Sequence, residues 1–355
     1  MNRRVIIILG MHRSGTSAVA EVLFKAGCVI GDPETLLKPD TNNARGYFEQ
    51  SETVSINESI LHTRVIKRLR DCHEFTEFVE ESFIEERYIA DLGWIFGTCL
   101  SKNEITKDLP TEQKRIGKFL SSVYGENNQY QPVLIKDPRF SITLPAWMGH
   151  LKDPVVIMLI RHPEAVARSL WERDHIFMSL GYELWSLYTR AALSNIKGLP
   201  FFIIDYDRLL EQPQNILASL FEWLEKQDIN PGVAGPESLQ GIINSELRHQ
   251  KNASNKDASN PVYAFYMNLL DHIPSMPVDV NEGEEFNNIQ NLWNSAAYIP
   301  LLRAISTLSH KNDILQARCE HLLSRMIRVN SHPVSGPVLR ILRFIKQDET
   351  FGQQD

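Results

Sequence analysis

The amino-acid sequence predicts an α/β fold of three layers, a central parallel sheet between helices, with a helical C-terminal extension. Two observations carry this expectation. Short aliphatic and β-branched runs at Val5–Leu9, Val133–Ile135, Val155–Ile160 and Phe201–Ile204 read as strands buried on both faces. Each run leads into a polar segment and then into a helical pattern, the alternation that builds a parallel sheet.

At 355 residues the chain can hold one large α/β domain, or a domain of about 250 residues with an appendage. A net charge of −7 and a pI near 5.9 argue against general nucleic-acid binding, so any basic site must be local. Cys28, Cys72, Cys99 and Cys319 show neither a C-x-x-C spacing nor a ligand pattern with the histidines, so reduced thiols and no metal are expected. Arg3 and Arg4 precede an apolar run as in a signal peptide, but that run ends at Leu9. With no cleavage site and no run near 18 apolar residues, a cytoplasmic location is expected.

The first strand ends in Gly10-Met11-His12-Arg13-Ser14-Gly15-Thr16-Ser17, and apolar residues at Val19, Val22, Leu23 and Ala26 then mark a helix closed by Gly27. Such a turn gathers free backbone N–H groups at a helix N-terminus, an anion site best suited to phosphate. The loop is nearly the Walker A pattern G-x-x-x-x-G-K-[ST], which makes the expected fold P-loop-like. Thr16, however, stands where nucleotide triphosphatases place lysine, and the positive charge is Arg13, three residues earlier.

Cys28–Ile30 reads as a short strand and residues 31–46 as a polar loop that runs into Tyr47-Phe48-Glu49. A loop this long is more often functional than idle. Helical patterns cover 52–70, 82–100 and 111–124. The second strand enters Lys136-Asp137-Pro138-Arg139, with a short helix expected near Leu144–His150. Ligands of open α/β sheets bind at the carboxyl ends of strands, so Lys136 and Arg139 fall where a ligand belongs; a salt-bridged loop is the competing reading. The third strand is followed by Arg161-His162-Pro163 and a helix through Ser169 to about Arg173, Pro163 being a natural first helical residue. A helix over Leu180–Ile196, the fourth strand, Asp205-Tyr206-Asp207-Arg208-Leu209-Leu210 and a helix over Pro213–Glu225 complete the pattern. Ile216, Leu217, Leu220, Phe221 and Leu224 give that last helix an apolar stripe to lay on the sheet.

The series His12-Arg13-Ser14-Gly15-Thr16-Ser17 resembles the 5′-phosphosulfate loop of sulfotransferases, which bind 3′-phosphoadenosine 5′-phosphosulfate (PAPS) and carry Lys or Arg in the place of Arg13. Arg161, a proline two residues later and Ser169 resemble the family's 3′-phosphate motif, and many members keep a lysine where Lys136 stands. Along a helix Pro163 to Ser169 spans roughly 9 Å, enough to grip one phosphate from two sides. Tyr206-Asp207-Arg208-Leu209 is similar to a family pattern read mainly as packing. The resemblance implies a 5′-phosphate cradle of Ser14, Gly15, Thr16 and Ser17, catalytic cations Arg13 and Lys136, and a 3′-phosphate site of Arg161 and Ser169. Arg248 is carried over from a basic segment that closes the domain, against the competing reading of a solvated surface arginine. The cytosolic branch takes its base two residues after the strand-end lysine, where Pro138 stands here. The tyrosylprotein and heparan branches take a glutamate from the segment after the first helix, which implies Glu49, with Asp137 as the alternative. Glu49 could instead cap the following helix or pair with Arg45.

The resemblance covers residues 4 to about 251 and sets the expected division: a PAPS-binding domain over 1–251, then a linker and helical extension over 252–355. Residues 252–260 are rich in Asn, Ser and Lys, as in a linker. Helical patterns follow near 289–308 and 313–329. Residues 318–346 hold six Lys or Arg against Glu320, and their end reads as a basic amphipathic helix for packing, an oligomer contact or peripheral attachment at the inner membrane surface. The expected function is transfer of a sulfuryl group from PAPS to a hydroxyl of a carbohydrate or glycolipid, without metal. The alternatives are a P-loop kinase, which lacks its lysine at Thr16, and a nucleotide- or glycan-binding protein without catalysis.

Overall fold

The aliphatic runs assemble into one sheet of four strands in the order β2-β1-β3-β4, all parallel. They are β1 (Val5–Gly10), β2 (Val133–Lys136), β3 (Val155–Ile160) and β4 (Phe201–Asp205). The computed structural model describes residues 4–41, 43–70, 93–125, 131–174, 176, 178–232, 239–243 and 261–272. All of them fall in the first of two units, Met1–Ile305 and Ser306–Asp355. The expectations for Arg248, the 252–260 linker, the helices beyond 273, the basic 318–346 segment and the first part of the 82–100 helix lie outside the described residues.

Helix α1 (Thr16–Ala26) follows β1, and α2 (Ser51–Arg70) follows a 24-residue connection that contains a short 3-10 turn, Pro33–Thr35. Then come α3 (Gly93–Phe96), α4 (Lys102–Thr106), α5 (Pro110–Tyr124), α6 (Phe140–Trp147), α7 (Pro163–Asp174), α8 (Met178–Ile196), α9 (Tyr206–Glu211), α10 (Pro213–Lys226) and α11 (Pro261–His272). Alternation along the strands explains the layers. Val5, Ile7 and Leu9 face a core shared with Ile56 and Ile60 of α2, Trp147 of α6 and Trp185 of α8, whereas Ile6 and Ile8 face Val19, Val22 and Leu23 of α1 and Leu217 and Leu220 of α10. Both faces are buried, so the strands are apolar up to their carboxyl ends, where Lys136 and Asp205 stand, and the runs read as continuous rather than alternating.

Two expectations are corrected. Residues 28–30 contribute an isolated bridge, Val29 to Val133, and not a strand. Helix α6 begins at Phe140, not near Leu144, so Pro145 lies inside it. The Ser141 carbonyl that Pro145 cannot engage accepts Asn195 Nδ2 at 2.9 Å instead, which lets the helix pass through the proline. Beyond residue 251, Phe265 and Tyr266 of α11 pack on Trp185 of α8, with ring centroids 5.5 and 5.9 Å apart.

Candidate functional site

The register brings four strand ends to one edge: Ile8 pairs with Lys136, Gly10 with Leu159, and Ile160 with Asp205. The residues that follow those ends, the 11–15 loop, Asp137, Arg161 and Tyr206, therefore meet at the carboxyl edge of the sheet. There they border a cavity of about 460 Å³, within the roughly 300–1,000 Å³ range of small-molecule sites.

Two glycines build the loop. Gly10 has φ 141° and its backbone lies so close to Leu159 that a Cβ would overlap the Leu159 carbonyl. Gly15 has φ 87°, and a Cβ there would overlap the Tyr206 ring. Gly10 N–H donates to Ser141 Oγ at 3.1 Å, tying the loop's start to α6. Arg13 is left-handed at φ 68°, costly for a residue with a side chain, and Arg161 Nη1 holds its carbonyl at 3.0 Å. The first amides of α1 have no acceptor within the helix, and Ser14 Oγ is buried without a partner. Unsatisfied donors on a rigid loop fit a phosphate.

Arg13 Nε donates to Ser169 Oγ at 2.7 Å, so Arg13, Arg161 and Ser169 form one cluster rather than two separate sites. The Arg161 guanidinium lies 5.2 Å from the Tyr206 ring centroid, making Tyr206 a wall of the site as well as a packing residue. Burial, then Arg173 and Arg161, push the Arg13 pKa down. That is the signature of cations crowded where an anion would relieve their repulsion.

At the other end, Lys136 Nζ donates to Ser17 Oγ and the Tyr47 carbonyl, each at 3.1 Å, and to Glu49 Oε1. Burial raises the Glu49 pKa, with Asp137 adding to it and Lys136 and Arg139 opposing it. Glu49 pairs with Lys136 and not with Arg45, which bonds Glu21 at 2.8 Å and the Ile242 carbonyl at 2.7 Å. Asp137 is held on both oxygens: Oδ2 by Asn57 Nδ2 at 2.9 Å, and Oδ1 by the Arg139 N–H at 2.9 Å and guanidinium at 3.1 Å. Arg139 also bonds Glu58 at 2.7 Å, so it is largely neutralised by carboxylates.

Thus Arg13, Gly15, Thr16, Ser17, Glu49, Lys136 and Arg161 all border one cavity, while Ser14 and Ser169 are buried beside residues that line it, Ser169 bonded to Arg13. His12, Trp94 and Arg173 also line it. The sequence singled out none of these three for a role: His12 was visible only as part of the loop series, and nothing in spacing ties Trp94 or Arg173 to the strand ends. Burial, followed by Arg139, Arg173, Lys136 and Arg13, holds the His12 pKa well below the usual histidine value, which favours the neutral imidazole. Among the described residues no group of three or more His, Cys, Asp or Glu could hold a metal ion, and no helix is long and apolar enough to cross a membrane.

A family model described as "Sulfotransferase family" matches residues 5–228. No curated protein sequence matches the chain significantly. Among solved structures, sulfotransferase STF9 from Mycobacterium avium is 14% identical with a TM-score of 0.42, over 76% of this chain and 77% of that one. The sulfotransferase domain of the Synechococcus PCC 7002 olefin synthase is 15% identical with a TM-score of 0.34, over 75% of this chain and 96% of that one. Sulfotransferase STF1 from Mycobacterium tuberculosis H37Rv is 12% identical with a TM-score of 0.32, over 68% and 77%.

Proposed function

The chain belongs to the sulfotransferase family, and on that premise we propose that it moves a sulfuryl group from PAPS to a hydroxyl of a carbohydrate or glycolipid in the cytoplasm. The observation that carries this reading is a cationic cavity at the carboxyl edge of the sheet that brings together the phosphate-type loop, Arg161 with Ser169 behind it, and the Lys136–Glu49 pair.

In the reaction the sulfur's bond to the 5′-phosphate oxygen breaks and a bond to the acceptor oxygen forms, while the acceptor proton leaves to a base. Ser14, Gly15, Thr16 and Ser17 cradle the 5′-phosphate with loop amides and hydroxyls. Arg161 and Ser169 take the 3′-phosphate, and Arg13, bonded to Ser169 and to Arg161 through its carbonyl, links the two phosphate sites. Lys136 supplies positive charge for the departing oxygen, as a buried, preorganised cation does. Glu49 is the base: it is 5% exposed, lines the cavity and has its pKa raised by burial, all of which suit proton acceptance. Asp137, closed in by Asn57 and Arg139, serves to hold Arg139. Phosphate binding by amides and guanidinium groups needs no metal bridge.

Incubation with 35S-labelled PAPS and a panel of glycans, glycolipids and phenols tests the reading. Label on a sugar hydroxyl is the expected result. Transfer from labelled ATP instead would make the protein a kinase, and binding of the desulfated donor without transfer to any acceptor would make it a binding protein.

A further inference from the structure

We propose that His12 is a further catalytic residue, its imidazole Nε2–H donating a hydrogen bond to a non-bridging oxygen of the sulfuryl group as it is transferred. The inference rests on the donor assigned above and names a contact for the part of that donor that its phosphate sites leave unaccounted for.

His12 Nε2 is buried without a partner, although the side chain lines the cavity. Buried polar nitrogens are rarely left unmade in a folded protein, and one that is calls for a group to complete it. The ring is not loose: its centroid lies 4.9 Å from that of Trp94 and 5.6 Å from that of Tyr188, the latter edge-on. Tyr188 is in turn fixed, its hydroxyl donating to the Trp94 carbonyl at 2.8 Å. A fixed donor of this kind needs no reorganisation when charge develops in front of it.

The charged groups that act on the ring are Arg139, Arg173, Lys136 and Arg13, which places it among the cations beside Glu49. Lys136, Arg139 and Arg13 are already engaged by Glu49, by Asp137 and Glu58, and by Ser169, which leaves Nε2 to a ligand. The unmade Nε2 is suited to donate to an anion. A fifth charged group would add to the repulsion already present, whereas a neutral N–H adds a hydrogen bond without a charge. The sulfuryl oxygens are the anionic atoms that remain once the loop and the Arg161–Ser169 cluster have taken the two phosphates.

The test compares PAPS with its desulfated product, 3′,5′-diphosphoadenosine (PAP), which has no sulfuryl group. Calorimetry would measure both affinities for the full-length protein and for His12→Leu and His12→Gln, the latter presenting an amide N–H near the Nε2 position. We expect the PAP affinity to change less than twofold in both variants. The ratio of PAPS to PAP affinity should fall about tenfold in His12→Leu, the size of one neutral hydrogen bond, and recover at least half of that loss, on a logarithmic scale, in His12→Gln. An unchanged ratio in His12→Leu overturns the proposal, and so does a parallel loss of both ligands, which would make His12 structural. Wild-type protein that binds neither ligand overturns the donor reading on which the proposal stands, a result distinct from the other two.

Discussion

Glu49 and Lys136 are 87 residues apart in the chain and form one buried ion pair, and this pair carries most of the chemistry assigned to the site. If Glu49 is the base, it must be deprotonated to act. Burial raises its pKa above the ordinary glutamate range, so the acidic limb of the rate profile should lie higher than for an exposed glutamate, with the rate lost as pH falls through that limb. Glu49→Gln should lower turnover about 10²–10⁴-fold, the usual worth of general-base catalysis, and should abolish that limb while PAP still binds. Asp137→Asn should act differently, because Asp137 touches Arg139 and Asn57: it should lower stability more than it lowers the rate of the protein that remains folded. A Glu49→Gln enzyme with wild-type turnover would end the assignment. At the other phosphate, Arg161→Ala should weaken PAP by roughly 1.5–3 kcal/mol, the range for a hydrogen bond to a charged group. Equal PAP affinity in wild type, Arg161→Ala and Ser169→Ala would remove the 3′-phosphate assignment. Pairings of this kind could not be read from spacing. Glu49 was reached through resemblance to other branches of the family, and whether it would meet Lys136 or Arg45 depended on how the 27–50 connection folds back.

That connection shows how elements make the site. Ser17 Oγ donates to the Tyr47 carbonyl and accepts from Asn43 Nδ2, both at 3.2 Å, and Arg45 reaches Glu21 of α1, so a segment with little regular structure is pinned to the helix that carries the loop. Helix α11 does comparable work on the far side. Tyr266 Oη donates to Asp205 Oδ2 at 2.8 Å, Asp205 Oδ1 caps α9 by accepting the Arg208 N–H at 2.8 Å, and the His162 ring packs 5.2 Å from Tyr266. Trp185, packed on α11, donates Nε1–H to the Arg161 carbonyl at 2.9 Å. The backbone that aims Arg161 thus rests on a helix beyond residue 251. Tyr266→Phe should destabilise the protein by about 1–3 kcal/mol, since it leaves a buried carboxylate short of a partner, and denaturant titration would measure it. A chain ending at residue 251 should bind PAP more weakly than one ending at 272. Equal affinity would mean that α11 stabilises the fold without supporting the site. The sequence placed the boundary at 251 because the family motifs end there and 252–260 reads as a linker; aromatic packing by a short later helix leaves no periodic mark of that kind.

For the molecule as a whole, the contrast that matters is an acidic chain, net −7, with a cavity lined by Arg13, Lys136, Arg161 and Arg173. The sheet, the loop and α1 were legible because they depend on local signals: continuous aliphatic runs for strands buried on both faces, and glycines where Leu159 and Tyr206 approach the backbone. Helix α6 was less so, because a proline at 145 favours a start near that position, and it is Asn195, from another helix, that satisfies the carbonyl the proline leaves open. The concentration of positive charge was legible only in part, since Arg173 joins the cavity through the length and direction of α7. A site built from loop amides and guanidinium groups attracts a dianion through its own field, without a bridging ion. We therefore expect PAP to raise the melting temperature equally with magnesium and with a chelator present. At a concentration of 100 times its Kd the ligand should add about 2.7 kcal/mol to stability. ATP should do much less, because its second and third phosphates extend away from the sugar and cannot reach the Arg161–Ser169 cluster while its first occupies the loop. Raising the salt concentration should weaken PAP, as screening acts on the partly open cationic cavity. Thermal shift measurements with PAP, ATP, EDTA and magnesium decide the matter: stabilisation by ATP that matches PAP and requires magnesium would transfer the site from sulfuryl to phosphoryl chemistry, with Thr16 in the lysine position as the anomaly left to explain.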